Sequence, residues 1–256
     1  MLWFNKPKFN KYGWKPQLPD QRDLLFKAPA LVVTPPMIDL RTACPPIKDQ
    51  GELGSCTANG LISCIEFLEL KDKHPLKPLS RLFLYWNERN LEGTVSFDSG
   101  ANIRDGIKSL NKQGCCLELL WPYNINRFRQ KPNTNCYNNA VTHDIVQYSS
   151  LVTINDMKLC LASGFPFVLG FSVYESFESD AVTHTGIVPM PKPTESFLGG
   201  HCVYCVGYED KTQMFTCANS WGTSWGMVGF FKIPYAYLTN RNLASDFWTI
   251  RKTKSE

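Results

Sequence analysis

Cys56 stands behind the flexible turn Asp49-Gln50-Gly51-Glu52-Leu53-Gly54-Ser55, at the point where a long helical pattern begins. Unpaired N–H groups and the positive end of the dipole at a helix start stabilise a thiolate and make it reactive. Taken alone, such a cysteine reads equally well as a small capping residue. Far along the chain, Gly199-Gly200-His201 opens an apolar run, which places a histidine at an exposed strand end beside two glycines. A neutral imidazole close to Cys56 can take its proton and later protonate a leaving amine, the two roles that acyl transfer requires. Asn219, in Asn219-Ser220-Trp221-Gly222-Thr223-Ser224-Trp225-Gly226, follows another strand-like run. Its amide carbonyl can hold an imidazole in one orientation, and the nearby indole can keep water from that bond. His74, before a proline, and His143 and His184, in polar threonine-flanked segments, read as surface histidines.

These side chains need elements to carry them. Leu61, Ile62, Ile65, Phe67, Leu68 and Leu70 recur at helical spacing from Cys56 to about Lys73, and His74-Pro75 ends the pattern. Further helices are expected over Arg81 to Arg89 and over Ile103 to Asn111, the latter closed by Gly114. After about Tyr148 the signals change to short β-branched or aromatic runs: Phe167 to Tyr174, His201 to Tyr208, Met214 to Ala218, Gly229 to Ile233 and Phe247 to Ile250. A helix-rich half followed by a strand-rich half implies an α+β architecture with a cleft between the halves as the place for a site.

The composition fits that reading. With 256 residues and 43% apolar residues the chain can bury one large core or two smaller packed ones. The longest apolar stretches, Ala28 to Ile38 and Phe165 to Val173, are broken by proline or glycine and are too short to span a bilayer, so no membrane span is expected. The N-terminus interleaves lysines with aromatics and does not read as a secretory signal, so synthesis inside a cell is expected. Lys6, Lys8, Lys11 and Lys15 precede the first acid, Asp20, and account for the whole net charge of +4. Such a tail reads as a solvated or docked arm, and no nucleic-acid partner is expected. The ten cysteines lack regular spacing and read as mostly reduced. Cys202 and Cys205, three apart on a strand, face opposite sides and suit no shared metal; neither metal nor cofactor is expected.

Four separated motifs in one order, Gln50, Gly54-Ser55-Cys56, Gly200-His201 and Asn219-Ser220-Trp221-Gly222, make the chain resemble the papain-like cysteine peptidases from about Met37 to Ile250. Gly-Ser-Cys-Thr-Ala-Asn, with Pro19-Asp20-Gln21-Arg22-Asp23 upstream and Trp121-Pro122-Tyr123 downstream, is similar to a branch seen in bacteria and large DNA viruses. The resemblance implies the two-domain papain-like fold: an N-terminal extension over 1–37, a helical half over 38–147 carrying the nucleophile, and a barrel-like half over 148–256 carrying His201 and Asn219. It implies that the Gln50 amide and the Cys56 N–H form an oxyanion hole, that Ser99 and Gly100 pair with substrate backbone, that Gly54 and Gly200 line the cleft, and that Trp221 borders the leaving-group side. Leu53 stands where the family commonly has a disulfide-forming cysteine, and Thr57 where it has an aromatic. The expected activity is endopeptidase cleavage of polypeptides through a thioester. Alternatives are an exopeptidase or transpeptidase, whose cleft the long segment from Glu175 to Leu198 would close, and a non-catalytic virion or binding protein that keeps the fold. Large apolar residues from Leu2 to Trp14 predict an N-terminal segment docked on the body, with residues before about Leu18 regulatory and those after it structural.

Overall fold

The computed structural model describes residues 9–27 and 33–253. Leu2, Trp3, Phe4, Lys6 and Lys8 of the basic aromatic tail, and the start of the apolar stretch at Ala28, lie outside the described residues. Helix α1 (Cys56–Lys71) carries apolar residues on more than one face, and a helix of that kind has to sit centrally. Every residue from Cys56 to Glu69 is buried. On one side α1 packs against α2 (Arg81–Leu91) and α3 (Ile103–Gln113), and on the other against strand β4 (Phe197–Glu209). Gly60 makes the second approach possible: a β-carbon there would stand 3.2 Å from Cys202 Sγ. The helix stops at Lys71, two residues before the expected end, and Lys73 turns the chain with φ 62°. Ser80 caps α2 by accepting the Phe83 N–H, and Gly114 closes α3 with φ 71°.

Strands β2 (Ile145–Ser150), β3 (Phe167–Tyr174), β5 (Met214–Ala218), β6 (Phe230–Pro234) and β7 (Ala244–Thr253) join β4 in an antiparallel sheet ordered β2-β7-β3-β4-β5-β6, with β1 (Met37–Asp39) also paired to β4. This is the mixed α+β, papain-like architecture expected. The boundary read between residues 147 and 148 runs through β2. Alternation along β4 sends Cys202, Tyr204 and Val206 into the core shared with α1 and Val203 and Cys205 into the barrel core, and a register shift between Cys205 and Gly207 turns Tyr208 to the barrel side as well. Cys202 and Cys205 therefore do face opposite sides. All ten cysteines are free thiols.

Three expectations are corrected. His201 is fully buried within β4 rather than exposed at its end, because the strand begins four residues earlier and the N-terminal segment lies over it. His143 is buried too, its Nδ1 3.2 Å from Glu69 Oε1, since the chain after α4 (Thr134–Ala140) folds back beside α1. The strand-rich half also carries helices α5 (Ile154–Ala162), α6 (Asp180–Thr185) and α7 (Tyr235–Thr239).

The segment after Gln17 is fastened to α3 in the helical half and to strand β2 of the sheet. Arg104 donates to Leu18 O (2.8 Å) and ion-pairs with Asp23, while Phe26 N–H reaches Ser150 O (2.8 Å) and Ser150 N–H reaches Leu24 O (2.7 Å). No helix of the described residues is long and apolar enough to cross a membrane.

Because Gly60 sits where α1 meets β4, Gly60→Val should overpack that contact, costing about 1–3 kcal/mol and lowering the melting temperature by about 2–12 °C. A thermal unfolding scan that shows no drop would mean the helix and sheet are looser than described.

Candidate active site

Cys56 is the first residue of α1, and the N–H groups of Thr57, Cys202 and Gly13 all reach its sulfur. His201 precedes Cys202 in β4. His201 Nε2 donates to Asn219 Oδ1 at 2.8 Å, and the Ser220 N–H donates to the same oxygen at 2.8 Å, which fixes the amide's orientation. Nδ1, the nitrogen left free for proton exchange, is buried without a partner among the described residues. The imidazole lies in an aromatic cage: the Trp221 ring is 5.0 Å away between centroids at 34°, with Phe171 at 5.8 Å and Tyr12 at 6.5 Å.

Gln50 ties the turn to the asparagine loop. Its backbone N–H bonds Ser220 O (2.8 Å), its side-chain oxygen accepts the Ser220 hydroxyl (2.6 Å), and its Nε2 donates to Leu53 O (2.8 Å) and Lys11 O (3.0 Å). Tyr123 braces the same turn through Gln50 O (2.9 Å) and Ser55 Oγ (2.6 Å). Thr57, placed where an aromatic was expected, gives its hydroxyl to the buried carboxyl of Glu88 at 2.8 Å.

Residues 10–15 run through the cleft. The carbonyl of Lys11 takes the Gln50 amide, Gly13 presses on Gly54 so closely that a β-carbon would stand 1.7 Å from the Gly54 oxygen, and the Trp14 N–H bonds Gly200 O at 3.0 Å. Backbone pairing falls to Ala101, whose N–H bonds Gly13 O (2.7 Å) and whose carbonyl takes the Lys15 N–H (3.1 Å). Gly100 makes room with φ 67°, and the Ser99 hydroxyl turns to Thr94 Oγ1 (2.7 Å) and Gly100 O (2.8 Å) instead of the cleft. Carboxylates hold the segment down: Asp98 takes the Asn10 N–H (3.0 Å), Glu178 takes Lys11 and the Tyr12 hydroxyl, Glu92 pairs with Lys15 (3.0 Å), and Asp246 accepts the Trp14 indole N–H (3.0 Å). Sequence reasoning missed Ala101, Asp98, Glu178, Glu92 and Asp246, since single acids scattered along the chain carry no spacing signal.

Burial in the covered cleft favours the uncharged form of both Cys56 and His201. Burial pushes the Cys56 thiol up to about 12 and holds the His201 imidazole down at about 4, with the Lys11 charge acting in the same direction on the histidine. Covered, the pair is a neutral thiol and a neutral imidazole. Among the described residues no group of three or more histidine, cysteine or acidic side chains is placed to hold a metal.

A cysteine at a helix start, a histidine on a facing strand and an asparagine behind it, in a cleft between a helical core and an antiparallel sheet, define a class, and the family model "papain family cysteine protease" matches residues 34–247. The chain belongs to the papain family of cysteine proteases. It is 41% identical to xylellain, a cysteine protease from Xylella fastidiosa, with a TM-score of 0.89 over 98% of this chain and 99% of that one. It is 47% identical over 215 residues to a peptidase C1-like protein of Acanthamoeba polyphaga mimivirus, covering 80% of this chain and 69% of the other. Cysteine proteinase 3 of Entamoeba histolytica is 26% identical over 208 residues, 79% of this chain and 63% of its own length. The chain thus spans about two thirds of the length of these two relatives.

With the thiol pushed up to about 12, thiolate is scarce at neutral pH in the covered form. Alkylation of Cys56 in the full chain should be slow at pH 7 and climb about tenfold per pH unit through the alkaline range. Mass-spectrometric labelling against pH checks this, and a fast plateau from mild acid upward would show that the cleft is open in solution.

Proposed function

We propose that this protein is an endopeptidase that works through a thioester on Cys56 and is held off, in the form described, by its own residues 10–15. The observation that carries the reading is that segment: extended backbone threads the cleft past Cys56 from Asn10 to Lys15, bonded to Ala101 and Gly200. A cleft that passes polypeptide end to end suits cuts within a chain.

In the uncovered enzyme, proton transfer from Cys56 to His201 Nδ1 gives a thiolate and an imidazolium. The thiolate attacks the substrate carbonyl carbon, and the developing oxyanion takes the place that Lys11 O occupies beside the Gln50 amide, joined by the Cys56 N–H. The imidazolium gives its proton to the leaving amine as the carbon–nitrogen bond breaks. Water then attacks the thioester, His201 accepts the water's proton, and the new carboxyl group leaves Cys56 as it was. Asn219 keeps Nε2 occupied so that Nδ1 faces the sulfur. The segment presents the Gly13 N–H to the sulfur. Residues after Gln17, fixed by Arg104 and β2, act as its anchor.

Peptide hydrolysis should vanish in Cys56→Ala; activity that survives would favour a non-catalytic cleft and a contaminating enzyme. Gln50→Ala should lower turnover by about 10- to 1000-fold, and an unchanged turnover with acylation rate-limiting would remove that role. Gly13→Ala should unseat the segment, raising both hydrolysis and Cys56 labelling in the folded full-length chain, whereas equal rates would make the segment a brace only. The exopeptidase or transpeptidase reading draws on the segment from Glu175 to Leu198, which reaches the cleft through Glu178. Cleavage-site mapping separates the two, since cuts confined to chain ends would favour it.

A further inference from the structure

Beside the nucleophile lies a carboxyl group that plays no part in the chemistry above. Glu88, on α2, is fully buried where α2 meets α1 and α3. Its Oε2 accepts the Thr57 hydroxyl at 2.8 Å, and its Oε1 has no hydrogen-bond partner among the described residues. Room for it comes from α3, where a β-carbon at Gly106 would stand 2.5 Å from Oε1. Burying a carboxyl with one oxygen unpaired costs folding stability, and perturbed groups of this kind cluster at functional sites.

The way α1 starts gives Glu88 a task. Ser55 stands at the cap position, yet its side chain takes none of the free N–H groups of the helix start and meets Tyr123 and Asn59 instead. A first turn without a side-chain cap is less firmly held than a capped one. No acid lies in that turn, so the positive end of the helix is left to the Cys56 sulfur. Of the N–H groups that reach the sulfur, that of Gly13 departs with the covering segment, while those of Thr57 and Cys202 stay. Thr57 thus faces the sulfur with its backbone and Glu88 with its side chain.

A charge on Glu88 would defeat this arrangement, since an anion there opposes a second one on Cys56. Burial holds the Glu88 carboxyl well above the usual carboxylate range; Glu92 on α2 and Asp105 on α3 act the same way, and the Thr57 hydroxyl and Arg89 act against it. Arg89 spends its guanidinium on the carbonyls of Val95, Phe97 and Phe128. The other titratable groups facing Glu88 are Cys56 on α1 and Cys202 on β4. Resting on the endopeptidase reading above, we infer that Glu88 is a positioning residue for the nucleophile, holding Thr57 so that the N–H groups at the start of α1 stay aimed at the Cys56 sulfur once the cleft is open.

The test uses full-length protein carrying Gly13→Ala, with Thr57→Val, Glu88→Ala, both together, or Glu88→Gln, which keeps an oxygen for the Thr57 hydroxyl. Hydrolysis of a fluorogenic peptide and alkylation of Cys56 by iodoacetamide are followed against pH, beside the unfolding midpoint of each protein. Thr57→Val and Glu88→Ala should each lower alkylation on the acid limb by about 10- to 100-fold, the worth of a hydrogen bond to a charged group, and displace that limb upward by about one to two pH units. The double variant should fall no further than either single one, and Glu88→Gln should stay close to the parent. A limb that does not move in folded Thr57→Val, whatever happens to stability, overturns the assignment, as does a Glu88→Gln limb displaced as far as that of Glu88→Ala or Thr57→Val. Thr57→Val and Glu88→Gln decide the matter even where Glu88→Ala does not fold. A displaced limb without hydrolysis by any of the proteins keeps the positioning role and overturns the peptidase reading. A Cys56 that iodoacetamide never reaches in folded protein overturns both.

Discussion

Between the carbonyl of Gly54 and the left-handed Gly100 there is room for one extended backbone without a side chain, and Gly13 occupies it so tightly that a β-carbon on Gly13 would collide with Gly54 and one on Gly100 would collide with Gly13. The state of the whole site follows from that fit. With Gly13 seated, Tyr12 and Trp14 close over His201, and water is excluded from the imidazole and the Cys56 sulfur. The same burial drives the thiol and the imidazole toward their neutral forms. In the covered form the two groups are thus held away from the ion pair that the proposed mechanism requires.

The fit depends on the elements behind it. Asp98 accepts the N–H groups of both Gly54 and Asn10, so a single carboxylate joins the nucleophile turn to the covering segment. Asp98 is held by the Tyr85 hydroxyl, and its loop by the buried Arg89, which spends its guanidinium on the carbonyls of Val95 and Phe97. On the other wall, the Gln50–Ser220 pair locks the turn to the asparagine loop. The covering segment and the turn that carries Cys56 therefore share supports.

Much of this was legible in the chain. The period of Leu61, Ile62, Ile65 and Leu68 marked α1, and the short aromatic runs marked β3, β5 and the centre of β4. The motifs around Cys56, His201 and Asn219 named the residues that the fold brings together. What was not legible is what depends on a second segment. His201 reads as an exposed strand end because nothing local says that Tyr12 packs on it. Asp246 reads as one acid in a strand, and only the pairing of β7 with β3 reveals the bulge that aims it. Helix α5 is a different case, for its capping box of Thr153 and Asp156 stands in the sequence but was not read there.

The account stands most directly on the rate at which Cys56 reacts with a peptidyl epoxide in mild acid, compared between the full chain and a chain beginning at Gln17 that is equally folded. A tethered segment filling the cleft competes at a high effective concentration, so the shortened chain should react roughly a hundredfold faster. Equal rates in the two proteins would contradict the claim that residues 10–15 hold the catalytic pair in its neutral, covered state.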